Sequence, residues 1–325
     1  MRSLFAVLVI FFAGCLSPQK AFAADVAAEP HARKGEAQTT NWSLVLSTAY
    51  VSDYNFRGIS QSARHGSLWG SAEVRYDQTK DLQWYAGLGA ETIRLPNRAP
   101  VEVDLYGGAR RKLGALSIDL GFWYYAYPGG TEFNGQAPFS ANCSNGFVMP
   151  SGFCNVVKRD LSFSEVFAKS TYSVTPDVTA GANFFYSPSW LNAGAFGVYA
   201  AGTVKLDFTT VWLPKDWKGY LSGELGRYWF GVTDAFYAVP AFPNGVKYPD
   251  YSTWNVGLGL IYKQITIDLR YYDTTLSPAE CNVITSDHTA TFSPAAITAA
   301  NPSGLVSIWC GPAYIAKISV DTTIP

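Results

Sequence analysis

Apolar and polar residues alternate with a period of two along most of this chain. In 68–76, Leu68, Gly70, Ala72, Val74 and Tyr76 share one face, and Trp69, Ser71, Glu73 and Arg75 share the other. In 101–112, Val101, Val103, Leu105, Gly107 and Ala109 oppose Glu102, Asp104, Tyr106, Gly108, Arg110 and Lys112. In 265–272, Ile265, Ile267, Leu269 and Tyr271 oppose Thr266, Asp268, Arg270 and Tyr272. Side chains of a strand point alternately to its two sides, so this spacing predicts strands with one apolar and one polar face. Beyond the N-terminus no apolar run reaches the roughly 18 residues that a helical membrane span needs.

Read in this way, the chain contains twelve strands: 42–53, 66–77, 82–94, 101–113, 115–127, 161–175, 177–187, 195–210, 218–229, 251–263, 265–275 and 312–321. Proline cannot donate to a strand ladder, and every proline from Pro96 to Pro302 falls between these segments, with Pro312 opening the last. The connections after even-numbered strands are short, as around Pro176 and Gln264, whereas those after odd-numbered strands reach 128–160 and 276–311. Short turns on one rim, long loops on the other and an even strand number predict an all-β fold: a closed, antiparallel, up-and-down transmembrane barrel of about twelve strands with long external loops. Both termini then lie in the periplasm of a bacterium, and the barrel sits in its outer membrane. Aromatics are expected to form two girdles, with Trp42, Tyr76, Trp84, Tyr172, Tyr220 and Tyr262 at inner strand ends. Tyr50, Tyr124, Tyr186, Trp229, Trp254 and Tyr271 serve the outer ends. A soluble β-sandwich needs a more charged exposed face than these strands offer.

Composition supports this picture. Charged residues make up 15% of the 325, well below the ~25% of soluble domains. The formal net charge of −1 argues against a nucleic-acid partner. Arg2, the apolar run Leu4 to Leu16 and Ala21-Phe22-Ala23 read as a signal peptide over 1–23. Phe12-Ala13-Gly14-Cys15 also loosely resembles a lipidation site. Residues 24–41 then form a flexible periplasmic lead-in and 42–325 the barrel. Four cysteines follow the leader, and an even number in an oxidising compartment suggests two disulfides. Of the three pairings, Cys143–Cys154 and Cys281–Cys310 close the shortest loops, both on the external rim. His31, His65 and His288 are the only histidines, so neither a metal nor a cofactor is expected.

The polar faces must turn inward, because hydrocarbon does not accept them. The residues expected to line a pore are Arg57, Glu73, Arg75, Glu91, Glu102, Asp104, Arg110, Lys112, Asp268 and Arg270. The expected function is passage of small hydrophilic solutes through a narrow polar lumen, with membrane lipids and those solutes as partners. Ion pairs that merely brace the wall, or a structural, adhesive or receptor role through the external loops, fit the same residues. An outer-membrane lipid hydrolase fits less well. The nearest Ser/His grouping is His65 with Ser60 and Ser62, without a third orienting group, and no enzyme is expected.

The segment YVSDYNFRGISQS at 50–62, followed by GSLWGSAEVRY at 66–76, resembles the opening of the TorF-type porins, through Tyr54, Phe56, Arg57, Gly58, Ile59, Ser60 and Gln61. Those are bacterial outer-membrane proteins whose transport substrate is not established. The resemblance implies a barrel with a channel role and brings no catalytic residues. One departure is the ending Asp321-Thr322-Thr323-Ile324-Pro325, where such barrels commonly carry an aromatic, which puts the last strand in doubt. Within the motif, Asp53 and Arg57 lie near the outer end of the first strand, and Gly58 permits a turn. They form either a pair that bends the strand into its loop or a cation at the pore mouth or constriction.

Overall fold

The computed structural model describes residues 41–135, 143–144, 152–209, 214 and 216–325. The expected signal peptide, Cys15 and nearly all of the lead-in segment lie outside these residues. Twelve strands form one closed antiparallel barrel in which each pairs with its neighbours in sequence. They are β1 (Trp42–Val51), β2 (Ser67–Thr79), β3 (Leu82–Thr92), β4 (Val101–Leu113), β5 (Leu116–Ala126), β6 (Phe163–Thr175), β7 (Val178–Ser187), β8 (Gly197–Phe208), β9 (Trp217–Phe230), β10 (Tyr251–Tyr262), β11 (Ile265–Thr274) and β12 (Ala313–Ile324). Each strand expected from the alternation is present, with ends shifted by a few residues. The last strand, doubtful from its sequence, runs to Ile324 and closes the ring on β1, with Leu44 opposite Ile324 and Val51 opposite Lys317. Backbone pairing, rather than a terminal aromatic, fixes it there.

The period-two pattern sorts the side chains. Leu46, Leu68, Leu88, Leu105, Leu120, Val166, Val204 and Leu258 stand exposed on the outer surface. Several of them pair with each other across strands, as with Leu88 opposite Leu105. Such a belt suits hydrocarbon, and closure leaves no strand edge unpaired within it. Trp42, Trp84 and Tyr172 are exposed near the rim of short turns, and Tyr50, Tyr124, Tyr186 and Trp229 near the rim of long loops. Tyr220 departs from the expected girdle. It points into the barrel, is buried, and donates to Asp268 Oδ2 at 2.7 Å. Its place in the alternation, opposite in parity to the exposed Leu221, sets this direction.

Leu88 sits near the middle of β3 and is 53% exposed. Arginine there would put a charge at the depth where solvation is poorest. Leu88→Arg is expected to destabilise the folded barrel by about 2–4 kcal/mol. Denaturant titration in lipid vesicles, followed by the mobility difference between heated and unheated samples, measures this. An unchanged midpoint would place Leu88 outside the hydrocarbon.

The long-loop rim carries further structure. Both disulfides are there, Cys143–Cys154 and Cys281–Cys310, paired as the spacing suggests. The last loop contains helix α1 (Pro278–Thr285), started by a capping box between Ser277 and Glu280. It also holds a short bridge of Thr291–Phe292 with Leu305–Val306.

Candidate functional site: a hairpin inside the bore

The loop between β1 and β2 does not project outward. It enters the barrel as a miniature hairpin, Asn55–Phe56 paired with Ile59–Ser60, and every residue from Asp53 to Ala63 is buried. Its two-residue turn has Arg57 at φ 49° and Gly58 at φ 90°, the left-handed pair that a tight hairpin turn needs. Gly58 is also required sterically, since a Cβ there would lie 2.3 Å from Thr274 Cγ2 and 2.6 Å from Thr253 Oγ1. Asn55 fixes the turn by accepting the Gly58 N–H at 2.8 Å.

Arg57, at the tip, is the anchor. Its two terminal nitrogens donate to both oxygens of Glu165 on β6 at 2.7 Å each. One of them also donates to the Tyr228 hydroxyl on β9 at 2.8 Å. Rings of Phe56, Phe185 and Tyr199 lie 4.5, 4.2 and 4.7 Å from the guanidinium carbon. The Tyr251 hydroxyl donates to the Arg57 carbonyl at 2.9 Å. A planar, weakly hydrated cation with a bidentate partner and stacked rings tolerates burial this deep. Arg57 is therefore not a cation at the pore mouth, nor is it paired with Asp53. Asp53 instead accepts from Ser60, Ser62 and Arg64 at 2.5, 3.0 and 3.1 Å, which holds the base of the hairpin.

The rest of the hairpin reaches other parts of the wall. Tyr54 donates to Glu102 on β4 at 2.7 Å and packs edge-on against Trp69 of β2. Phe56 packs edge-on against Tyr125 of β5. Toward the long-loop rim, Ser60 N–H donates to the Trp309 carbonyl at 2.9 Å, and Arg64 donates to the carbonyls of Ile308 and Gly311. The hairpin thus stands across the bore as a plug, gripped from β2, β4, β5, β6, β9 and β10.

The other charges expected to line a pore face inward and engage one another. Arg110 donates to both oxygens of Glu73 at 2.8 and 2.9 Å, to Asp119 at 3.3 Å, and lies 3.5 Å above the Tyr85 ring. Arg75 binds the same Glu73 carboxylate. Arg270 binds Asp268, Asn255 and Ser222. Glu91, Glu102 and Asp104 gather with carboxylate oxygens within 4.8 Å of one another. Lys112 shares the inward parity of β4 but ends exposed beside the short-turn rim, outside this buried set.

Beneath the hairpin is a cavity of about 90 Å³, with Asn55 and Arg57 above and Asp268, Arg270, Lys317 and Ser319 among its walls. That space suits a few water-sized groups. Above the hairpin the last loop folds into a cap. Asn282 exchanges hydrogen bonds with Asn155 and donates to Asn301 Oδ1, and Asp287 accepts from Ser307 and Thr289. Burial raises the Asp287 pKa and lowers that of His288 to about 4, so this imidazole is neutral at ordinary pH. His65, the candidate base beside Ser60 and Ser62, has its Nδ1 2.6 Å from the Ala63 carbonyl.

Alternation along 161–175 puts Glu165 on the inward face without giving it a partner, and sequence reasoning did not single out Phe185, Tyr199, Tyr228 or Tyr251. The usable signal was parity: Phe185 and Tyr228 each sit beside an exposed aromatic, Phe184 and Trp229, so they must face inward.

Residues 36–186 match the model of a family described as a bacterial protein of unknown function (Gcw_chp), and the match includes the whole hairpin. No protein of curated function matches the sequence. Among solved structures, the chain is similar to the NanC porin at 12% identity, covering 87% of this chain and all of that one with a TM-score of 0.39. It is similar to the translocator domain of the autotransporter NalP from Neisseria meningitidis at 10% identity, covering 87% and 89% with a TM-score of 0.41. It is also similar to LpxR from Salmonella typhimurium at 8% identity, covering 85% and 99% with a TM-score of 0.37.

Proposed function

We propose that this protein is a bacterial outer-membrane channel for small hydrophilic solutes, held shut by its internal hairpin. The barrel spans the outer membrane with its short-turn rim toward the periplasm and its disulfide-bearing loops outside. The supporting observation is the lumen itself. Charges and hydroxyls line the cavity beneath the hairpin, and the tip of the hairpin is held by the ion pair of Arg57 with Glu165. Polar groups in a bore are stabilised by each other or by water, and a hydrated bore is a conduit once the plug moves.

Single-channel recording in planar bilayers tests this reading. The unaltered protein is expected to show a low open probability, and Glu165→Gln to raise it severalfold, because the amide cannot offer Arg57 two anionic oxygens. If neither protein conducts at any salt or voltage while both migrate as folded barrels, the channel reading fails and a structural or adhesive barrel replaces it.

A further inference from the structure

We infer that Glu91, Glu102 and Asp104, near the long-loop rim of the bore, form a calcium site that braces the hairpin. The inference is independent of the channel reading and survives its failure. Glu91 on β3 stands directly opposite Glu102 on β4, and Asp104 follows two residues along on the same face. Like charges placed opposite one another on paired strands repel. The sequence nevertheless makes room for a closer approach. Gly89 stands opposite Asp104, and a Cβ there would lie 3.1 Å from Glu91 Oε1 and 3.5 Å from Asp104 Cβ. One oxygen from each carboxylate comes within 4.8 Å of the other two.

Glu73, Asp119, Glu165, Asp207 and Asp268 each lie against an arginine or lysine. Glu102 and Asp104 are 1% and 5% exposed, yet among the described residues no arginine or lysine comes within ion-pair distance of either. The groups that do approach them are neutral: the Tyr54 and Tyr127 hydroxyls at Glu102, and the Trp123 indole at Asp104. Asp104 Oδ1 is buried without a hydrogen-bond partner among the described residues. Water would satisfy that oxygen and leave the charge; a cation answers both needs. Oxygens about 2.4 Å from one ion stand at most about 4.8 Å apart, which these three satisfy. An ion is smaller than a water molecule, so oxygens converging on its seat need not be open to solvent. An all-carboxylate set suits a hard cation, and the scarcity of histidine, which speaks against zinc, does not bear on it. Calcium tolerates irregular oxygen sets and magnesium demands a regular octahedron, which favours calcium. Glu91 is the partly exposed member, so the ion enters past it. Tyr54, donating to Glu102 at 2.7 Å, joins the site to the hairpin.

The test uses the full barrel, refolded in neutral detergent and stripped with EDTA, with calcium itself as the probe and titration calorimetry as the readout. The unaltered protein is expected to take a single calcium ion with an affinity on the order of 10⁻⁴–10⁻³ M, and Asp104→Asn and Glu91→Gln to bind at least tenfold more weakly. Denaturant midpoints supply a second readout, one with a sign. Without calcium, Asp104→Asn relieves the repulsion and is expected to unfold at higher denaturant than the unaltered protein; saturating calcium reverses that order. A variant that had merely lost packing would rank the same way in both buffers. Absence of saturable binding by the unaltered protein, or binding undiminished in both folded variants, overturns the site and leaves shared protons to relieve the repulsion. Should neither variant fold, amide exchange on the unaltered protein decides. Calcium must slow it across 89–104 and at Tyr54, and unchanged exchange there overturns the site.

Discussion

Replacing Arg57 with alanine is expected to destabilise the barrel by about 3–5 kcal/mol, the usual cost of removing one partner of a buried ion pair. Glu165 is 1% exposed, and without the guanidinium it keeps only the Tyr125 and Tyr228 hydroxyls, at 3.2 and 3.3 Å. Two neutral donors do not replace a bidentate cation in a site closed to water. The rings of Phe185 and Tyr199 would also lose the group stacked between them. Arg57→Lys keeps the charge but not the planar fork, and is expected to fall between the two. Denaturant midpoints in vesicles measure the effect, and conductance reports whether the hairpin has left the bore. A folded Arg57→Ala barrel with an unshifted midpoint would show that the aromatic packing alone seats the plug.

Loss of the Cys281–Cys310 bond is expected to be nearly as damaging. The two cysteines are 29 residues apart, and tying a loop of that length restricts the unfolded chain by an amount equivalent to about 3.5 kcal/mol. The bond joins α1 to the segment that enters β12. Trp309, next to Cys310, accepts the Ser60 N–H of the hairpin, and the Cys310 carbonyl accepts the Thr274 hydroxyl at 2.5 Å. Cutting the bond therefore loosens the cap and the outer attachment of the plug together. In the double variant Cys281→Ser, Cys310→Ser, hydrogen exchange should accelerate across 278–311 and at Ser60, with strands β2 to β5 unaffected. Exchange that quickens in the cap and not at Ser60 would show that the hairpin is held by its inner contacts alone.

The barrel was legible because one repeated physical demand, apolar outward and polar inward, writes itself along every strand, and because proline and loop lengths mark the ends independently. Leu88, Leu105 and Leu120 could hardly face anywhere else. The disulfide pairs followed from the same topology. The plug was not legible to the same degree. The motif around Arg57 stood out, and its turn was anticipated from Gly58, but neither says whether a loop bends outward or inward. That choice rests on Glu165, Tyr228 and Tyr251, which lie more than one hundred residues away in sequence. Period-two reading assigns each of them a side but no partner. Tyr220 was misplaced for a related reason, because a tyrosine at a strand end suits either the headgroup level or an inward carboxylate such as Asp268.

The position of the hairpin has a bearing on how the barrel is assembled. The seam joins the first strand to the last, so it is the pairing that brings together the most distant parts of the chain. The hairpin leaves β1 directly at that seam, while the anchors of Arg57 sit on β6, β9 and β10, strands that do not pair with β1. Glu165, Tyr228 and Tyr251 come together around Arg57 only in a sheet that has closed, so the hairpin gains its full grip as the ring forms. The wall thus closes around the hairpin as around a mandrel. Residues 53–63 are in that sense a template for barrel curvature, and their charge pair rewards only the sheet that has rolled to the right diameter.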